Sequence, residues 1–143
     1  MKISTKGRYG LRALIDLAIN MDSENVSIKS ISERQNISER YLEQIFSLLR
    51  KAGIIVGRKG AQGGYVLGKT PRELTIIDIL KVLEGDSIFI DINEKEDNDL
   101  EIFINKNLWK DINSIIKDYF TSITLEDLVD NYKKSKENII YYI

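Results

Sequence analysis

The stretch "SIKSISERQNISERYLEQIFSLLRKAG", residues 27–53, restricts the fold more than any other part of the chain. Ser27 is placed as the N-cap of a short amphipathic run that turns Ile28 and Ile31 inward, and "RQN-IS" then interrupts it. Ser38 caps a longer run in which Leu42, Ile45, Phe46 and Leu49 recur at i, i+3, i+4 and i+7, the stripe of a helix packed on a core. Lys51, Ala52 and Gly53 stop that run, with the glycine where a helix C-terminus favours one. A short helix, a tight turn and a longer helix make a helix-turn-helix over about residues 28–51.

The next segment, "IIVGRKGAQGGYVLGKTPREL", contains two β-prone runs, Ile54 to Val56 and Tyr65 to Leu67, around a glycine-rich loop. It predicts a hairpin over about 54–68 with Arg58, Lys59 and Gly60 near its tip. The same letters also spell a phosphate loop, because Gly63 is followed by four residues and then Gly68, Lys69 and Thr70. The mechanics do not fit. A phosphate loop wraps its middle amides around phosphates and opens a helix at its Lys–Thr, whereas Gly64, Tyr65, Val66 and Leu67 favour a strand. Pro71 also biases Thr70 toward extended backbone.

The sequence contains no cysteine and no histidine. That excludes disulfides, thiolate-held zinc or iron–sulfur centres, cysteine nucleophiles and a histidine base. No enzyme is expected, and no cofactor. The 43% hydrophobic content is that of an ordinary globular chain. No run reaches the ~20 apolar residues that span a bilayer, and "MKISTKGRYG" does not read as a signal peptide, so a cytoplasmic location is the expectation. The net charge of −1 conceals a division. Residues 1–72 hold 13 Lys and Arg against 6 Asp and Glu, and residues 73–143 hold 8 against 16. One end of the chain is built to face a polyanion.

The basic end gives this polyanion a location. "STKGRYGLRALIDLAIN" reads as a helix entered through Ser4 or Thr5, with Leu11, Leu14, Ile15 and Ala18 as its apolar stripe. Lys2, Lys6, Arg8 and Arg12 crowd its start, where cations oppose the helix dipole by a few tenths of a kcal/mol each. Phosphates nearby would account for that cost. Lys2, Thr5, Lys6 and Tyr9 are therefore candidate DNA contacts. Away from its stripe, the second helix of the helix-turn-helix carries Glu39, Arg40, Glu43, Gln44, Ser47, Arg50 and Lys51. Alone, such a face reads as solvated surface. Beside a basic hairpin it reads as a base-reading helix with a wing, its long polar side chains suited to base edges and phosphates.

Four segments then resemble a known family: "MKISTKGRYGLRAL", "ISERYLEQIFSLLRKAGII", "GAQGGYVLGK" and "ITLEDL" are similar to the Rrf-two family of bacterial winged-helix transcription regulators. The resemblance covers nearly the whole chain. It implies that Ser38, Tyr41, Glu43 and Gln44 lie on the recognition helix and Arg58 in the wing. The fold expected is mainly α with a small β-hairpin: a winged helix-turn-helix domain over 1–84, an acidic loop over 85–104, and a long dimerisation helix with a final helix and tail over 105–143.

In the acidic half, "ELTIIDILKVLEG" is a helix capped by Thr75, with Asp78 placed to complete a capping box and Ile76, Ile79, Leu80 and Leu83 closing the core. The loop after it starts like a calcium loop at Asp91 and Asn93, but Lys95, Glu96 and Ile102 fall on essential ligand or glycine positions. Cluster-binding members of the family carry cysteines in this region. Without any, this chain cannot sense iron through such a cluster. "INKNLWKDINSIIKDYF" spreads Leu108, Trp109, Ile112, Ile115, Ile116, Tyr119 and Phe120 over too wide a face for one small domain to cover. It predicts a homodimer on a pseudo-palindromic operator, with intrachain packing as the alternative. A helix capped by Thr124 follows.

The ending "NIIYYI" and the absent cysteines resemble a cluster-free branch of the family that represses cysteine-metabolism genes with a protein partner, the O-acetylserine thiol-lyase. Tyr141, Tyr142 and Ile143 are the expected partner-binding tail, inserting the terminal carboxylate into the thiol-lyase cleft. The alternative is that they pack on the dimer helix. A regulator with another regulon and signal, or a protein-interaction module without DNA binding, also stays open.

Overall fold

A computed structural model describes residues 1–61 and 63–142, with the backbone alone described for 139–142. Helix α1 (Thr5–Asn20) runs through the centre. The helix-turn-helix follows as α2 (Ile28–Gln35) and α3 (Glu39–Lys51). Ser27 and Ser30 exchange hydrogen bonds in a capping box at the start of α2, and Asn36 takes a left-handed conformation (φ 55°) to make the turn. Ser38 caps α3, accepting from the Tyr41 N–H at 3.1 Å. Leu42, Ile45, Phe46 and Leu49 are all buried, as their spacing predicts. At the far end Gly53 (φ 76°) donates its N–H to Arg50 O and Ile54 donates to Leu49 O, a Schellman pair that turns the chain into the hairpin.

Strands β1 (Ile55–Gly57) and β2 (Tyr65–Leu67) pair antiparallel with Val56 opposite Val66. A bridge from Tyr65 to Val26 fastens the hairpin to the segment before α2. Gly64 (φ 113°) makes this possible, since a Cβ there would lie 2.1 Å from Asn25 Oδ1. Its Tyr65 ring meets Phe46 edge-on at 5.0 Å. The phosphate-loop letters therefore form a turn, a strand and an extended exit. Helix α4 (Ile76–Glu84) closes the core with Ile76, Ile79, Leu80 and Leu83. Thr75 accepts from the Asp78 N–H, but the full reciprocal box appears at Thr124 and Asp127 instead.

Two sequence expectations differ in detail. In α1 the stripe shifts: Leu14 is buried, Leu11, Ile15 and Ala18 are half-buried, and the deepest face is Gly7, Gly10, Ala13, Leu14 and Leu17. The cause is proximity rather than hydrophobicity, because a Cβ on Gly10 would sit 2.4 Å from Leu83 Cδ1 of α4. Residues 85–104 are not one loop. A 3-10 turn covers Gly85–Ile88 and buries Ile88, and helix α5 (Asp99–Ile104) is capped by Asn98. Between them, Asn113 clamps the backbone of Ile90, accepting from its N–H at 2.7 Å and donating to its carbonyl at 3.0 Å.

Helix α5 continues through a π-helical segment (Asn105–Trp109) into α6 (Lys110–Ser122), and α7 (Leu125–Tyr142) follows. Leu125 and Val129 of α7 join the core, while a bridge between Thr75 and Thr124 ties the starts of α4 and α7 together. Among the described residues, no helix is long and apolar enough to cross a membrane.

Candidate nucleic-acid interface

The outer face of α3 is organised by its cap and by α1. With Ser38 engaged at the N-terminus, Arg40, Glu43, Gln44, Arg50 and Lys51 are exposed and Ser47 is half-buried. Lys6 of α1 lines one shallow depression with Arg40, Glu43, Gln44 and Ser47. Tyr9 and Tyr41, both half-buried, meet edge-on at 5.8 Å, and the Arg12 guanidinium lies 5.0 Å from the Tyr9 ring centre. These rings brace α1 against α3. Lys2 and Thr5 are exposed at the start of α1. Arg50 and Lys51 stand about three turns from Ser38, at the end of α3 that leads to the hairpin. Arg58, Lys59 and Gly60 are exposed beyond β1, with the Arg58 N–H held by Gly64 O at 2.8 Å.

The interface cations have no described carboxylate partner, and the excess of 13 Lys and Arg over 6 Asp and Glu in residues 1–72 sets their half of the chain apart. Arg34, Arg72 and Lys110 are paired with carboxylates, whereas Lys2, Lys6, Arg40, Arg50, Lys51, Arg58 and Lys59 have no carboxylate partner among the described ion pairs. Uncompensated cations on one half of a chain attract a polyanion over a distance set by ionic strength.

The start of α1 also has a carboxylate beside its cations. Glu84 of α4 lies at its orphan N–H groups. Glu84 Oε1 accepts from the Ser4 N–H at 2.9 Å, the Ser4 hydroxyl at 2.6 Å and the Gly7 N–H at 2.9 Å. A carboxylate at a helix N-terminus satisfies both donors and dipole. Burial pushes the Glu84 carboxyl up, but the bonds from Ser4, Gly7 and Ser87 outweigh this and hold it below its ordinary value of 4.5. A lowered folded pKa stabilises the fold above the unfolded value, and the gain is lost as pH falls through the folded value. Glu84→Gln is therefore expected to lower the urea midpoint at neutral pH and to flatten its decline in acid. Parallel midpoint-versus-pH curves for the two proteins would refute this.

Sequence reasoning missed Asp16. Its side chain is 2% exposed and accepts from Arg34 Nε at 2.9 Å, Arg34 Nη2 at 2.7 Å and Gln35 Nε2 at 2.9 Å. It fixes the end of α2, and so the turn into α3, against α1. The available signal was an acid in the middle of the apolar run "LIDLAI". The dimerisation candidates divide into two faces. Trp109, Ile112 and Ile116 are half-buried, while Leu108, Ile115 and Tyr119 are 46%, 67% and 61% exposed. Tyr141, Tyr142 and Ile143 lie outside the residues whose side chains are described.

A helix-turn-helix with a hairpin wing beside its second helix defines the class: a winged helix-turn-helix protein. The family model Rrf2, iron-dependent transcriptional regulator, matches residues 3–131, and the chain belongs to that family. It is 43% identical over 143 residues, all of both chains, to the HTH-type transcriptional regulator CymR of Bacillus subtilis. It is 35% identical to IscR of Pectobacterium carotovorum, covering 92% of this chain and 80% of the relative. The solved structure of B. subtilis CymR, described there as the global cysteine regulator, superposes with a TM-score of 0.79 at 44% identity over 92% of this chain and 98% of the other. The oxidized form of Staphylococcus aureus CymR gives 0.72 at 40% identity, over 90% and 96%. The protein is thus a DNA-binding transcriptional regulator and not an enzyme.

The family description names iron. The donors here do not fit an iron–sulfur cluster, because the chain has neither cysteine nor histidine, and the 89–98 segment offers only carboxylates and amides. Among the described residues no group of three or more acids is arranged to hold a metal ion.

Proposed function

We propose that this protein is a homodimeric, sequence-specific repressor of cysteine and sulfur metabolism genes, acting in the cytoplasm and modulated by O-acetylserine thiol-lyase rather than by a bound cluster. The full-length similarity to CymR carries this reading. The exposed row Leu108, Ile115 and Tyr119 supports the dimer, since a monomer gains nothing from leaving three large apolar side chains in water on one helix. In the operator complex α3 enters the major groove, where Arg40, Glu43, Gln44 and Ser47 face base edges. Lys2, Thr5, Lys6, Arg50 and Lys51 hold the backbone, and Arg58, Lys59 and Gly60 of the wing reach the adjacent groove or phosphates. Tyr9 and Tyr41 set the angle between α1 and α3.

Phosphate and base contacts fail differently. Arg58→Ala is expected to weaken binding to most sequences and to reduce the salt dependence, while Gln44→Ala changes preference at one operator position by roughly 1–3 kcal/mol. Equal losses on operator and random DNA for Gln44→Ala would remove Gln44 from base reading. Tyr141, Tyr142 and Ile143 form the segment proposed to enter the thiol-lyase cleft. The test is fluorescence anisotropy on a labelled promoter of a cysteine-uptake or synthesis gene, with thiol-lyase titrated in. A shifted apparent affinity that disappears on deleting Ile143 supports partner and tail together. Operator binding indifferent to thiol-lyase rejects the partner.

A further inference from the structure

We infer that the cleft between α1, the end of α2 and α7 is a binding site for a small carboxylate with an apolar body. The inference is independent of the operator and the protein partner. The cleft has a volume of about 310 Å³, at the lower end of the range for small-molecule sites. Ile15 and Ile19 of α1 form its floor, and Tyr132 of α7 stands at its side. Ile15 and Ile19 pack against the core with one side and stay half-buried, and Tyr132 is 47% exposed, so each keeps apolar surface open to the cleft.

The charges around this floor are unequal. Asp16, at the bottom, is fully engaged by Arg34, Gln35 and Asn20, and the other arm of Arg34 pairs with Glu24 at 2.6 Å. That network is closed and takes no ligand charge. Arg12 is different. It donates to the Gln35 carbonyl and lies over Tyr9, but has no carboxylate partner among the described ion pairs. A guanidinium has five N–H donors in a fork that matches a carboxylate, and only one is engaged in a described bond.

An apolar floor beside one guanidinium with spare donors selects an anion that carries hydrocarbon. A bare anion gains nothing from the isoleucines, and an uncharged hydrocarbon gains nothing from Arg12. The ligand would touch α1, α2 and α7 together, next to the carbonyl of Gln35 at the turn of the helix-turn-helix.

The test is an NMR titration of the ¹⁵N-labelled full-length protein with phenylacetate and with isovalerate, using 2-phenylethanol as the neutral control. Saturable amide shifts at Ile15, Ile19 and Gln35 are expected with at least one of the two acids. Affinity should fall about tenfold or more in Arg12→Gln, and the alcohol should bind more weakly by a similar factor. Arg12 is exposed, so the variant retains the fold, and a matching amide spectrum verifies that. The proposal is overturned if neither acid gives saturable shifts at these positions, or if the alcohol and Arg12→Gln bind as the wild type binds the acids.

Discussion

Replacing Ile115 by aspartate is expected to leave the protomer folded and to remove most of its affinity for operator DNA. Ile115 is 67% exposed, so the substitution costs the isolated chain almost nothing. Between two copies, the same carboxylate would be desolvated among Leu108, Tyr119 and their counterparts without a partner, which costs several kcal/mol. The effect on DNA is larger than the effect on any single contact. Two reading heads joined in one particle gain on the order of 10²–10⁴ in apparent affinity over a single head, and a monomer forfeits it. We expect a loss of about 100-fold or more on a promoter fragment bound by the wild type, with a monomer mass by light scattering and an unchanged circular dichroism spectrum. A wild type that is monomeric at micromolar concentration would refute the proposed dimer, and an Ile115→Asp protein that remains dimeric would relocate its interface.

The second large effect is on stability. Asp16→Ala removes the one carboxylate that Arg34, Gln35 and Asn20 share inside the protein. Breaking a buried pair by deleting one member costs about 3–5 kcal/mol when the remaining charge is stranded. The Arg34 side chain is 33% exposed and keeps Glu24, so the cost falls to the bottom of that range or below it, about 2–3 kcal/mol. A urea midpoint shift of that size with an unchanged slope is the expected result. A shift below ~1 kcal/mol would mean that water replaces Asp16 at no cost. Arg34→Met tests the other side: with both charges no longer paired it strands Asp16 in a nearly dry site, and should destabilise at least as much.

Much of this was legible in the residues, for identifiable reasons. The helix-turn-helix could be read because local chemistry fixes it. Ser27 and Ser38 cap, Gly53 terminates, and the α3 stripe is uninterrupted. The hairpin was legible from its glycines, and the misleading phosphate-loop letters yielded to strand propensity and to Pro71. The face of α1 was not, because the packing of Gly7 and Gly10 depends on how near α4 comes, which no periodicity encodes. Glu84 was missed for a similar reason: its partners Ser4 and Gly7 lie about eighty positions away in sequence. The wide apolar content of α6 was plain, but its division into an inner row (Trp109, Ile116, Phe120) and an outer row (Leu108, Ile115, Tyr119) needed the neighbours on one side. The start of α5 was hidden within an acidic stretch whose composition resembles a loop, and the clamp on Ile90 comes from Asn113, 23 positions further on.

The π-helical segment has a consequence for how the long helix tolerates change in length. Its N–H from Lys110 reaches back five residues to the Asn105 carbonyl, so this turn absorbs one residue more than an α-turn. Phe103, 61% exposed, and Leu108 are five apart, and the wide turn brings them into line where a regular helix would set them on different faces. From Leu108 the outer row continues to Ile115 and Tyr119 at ordinary helical spacing. The segment therefore acts as a phase correction between two halves of one rod. Deleting a single residue from 105–109 would leave Phe103 and Leu108 four apart in a regular helix, still on one face, so the outer row keeps its phase when this turn loses its extra residue.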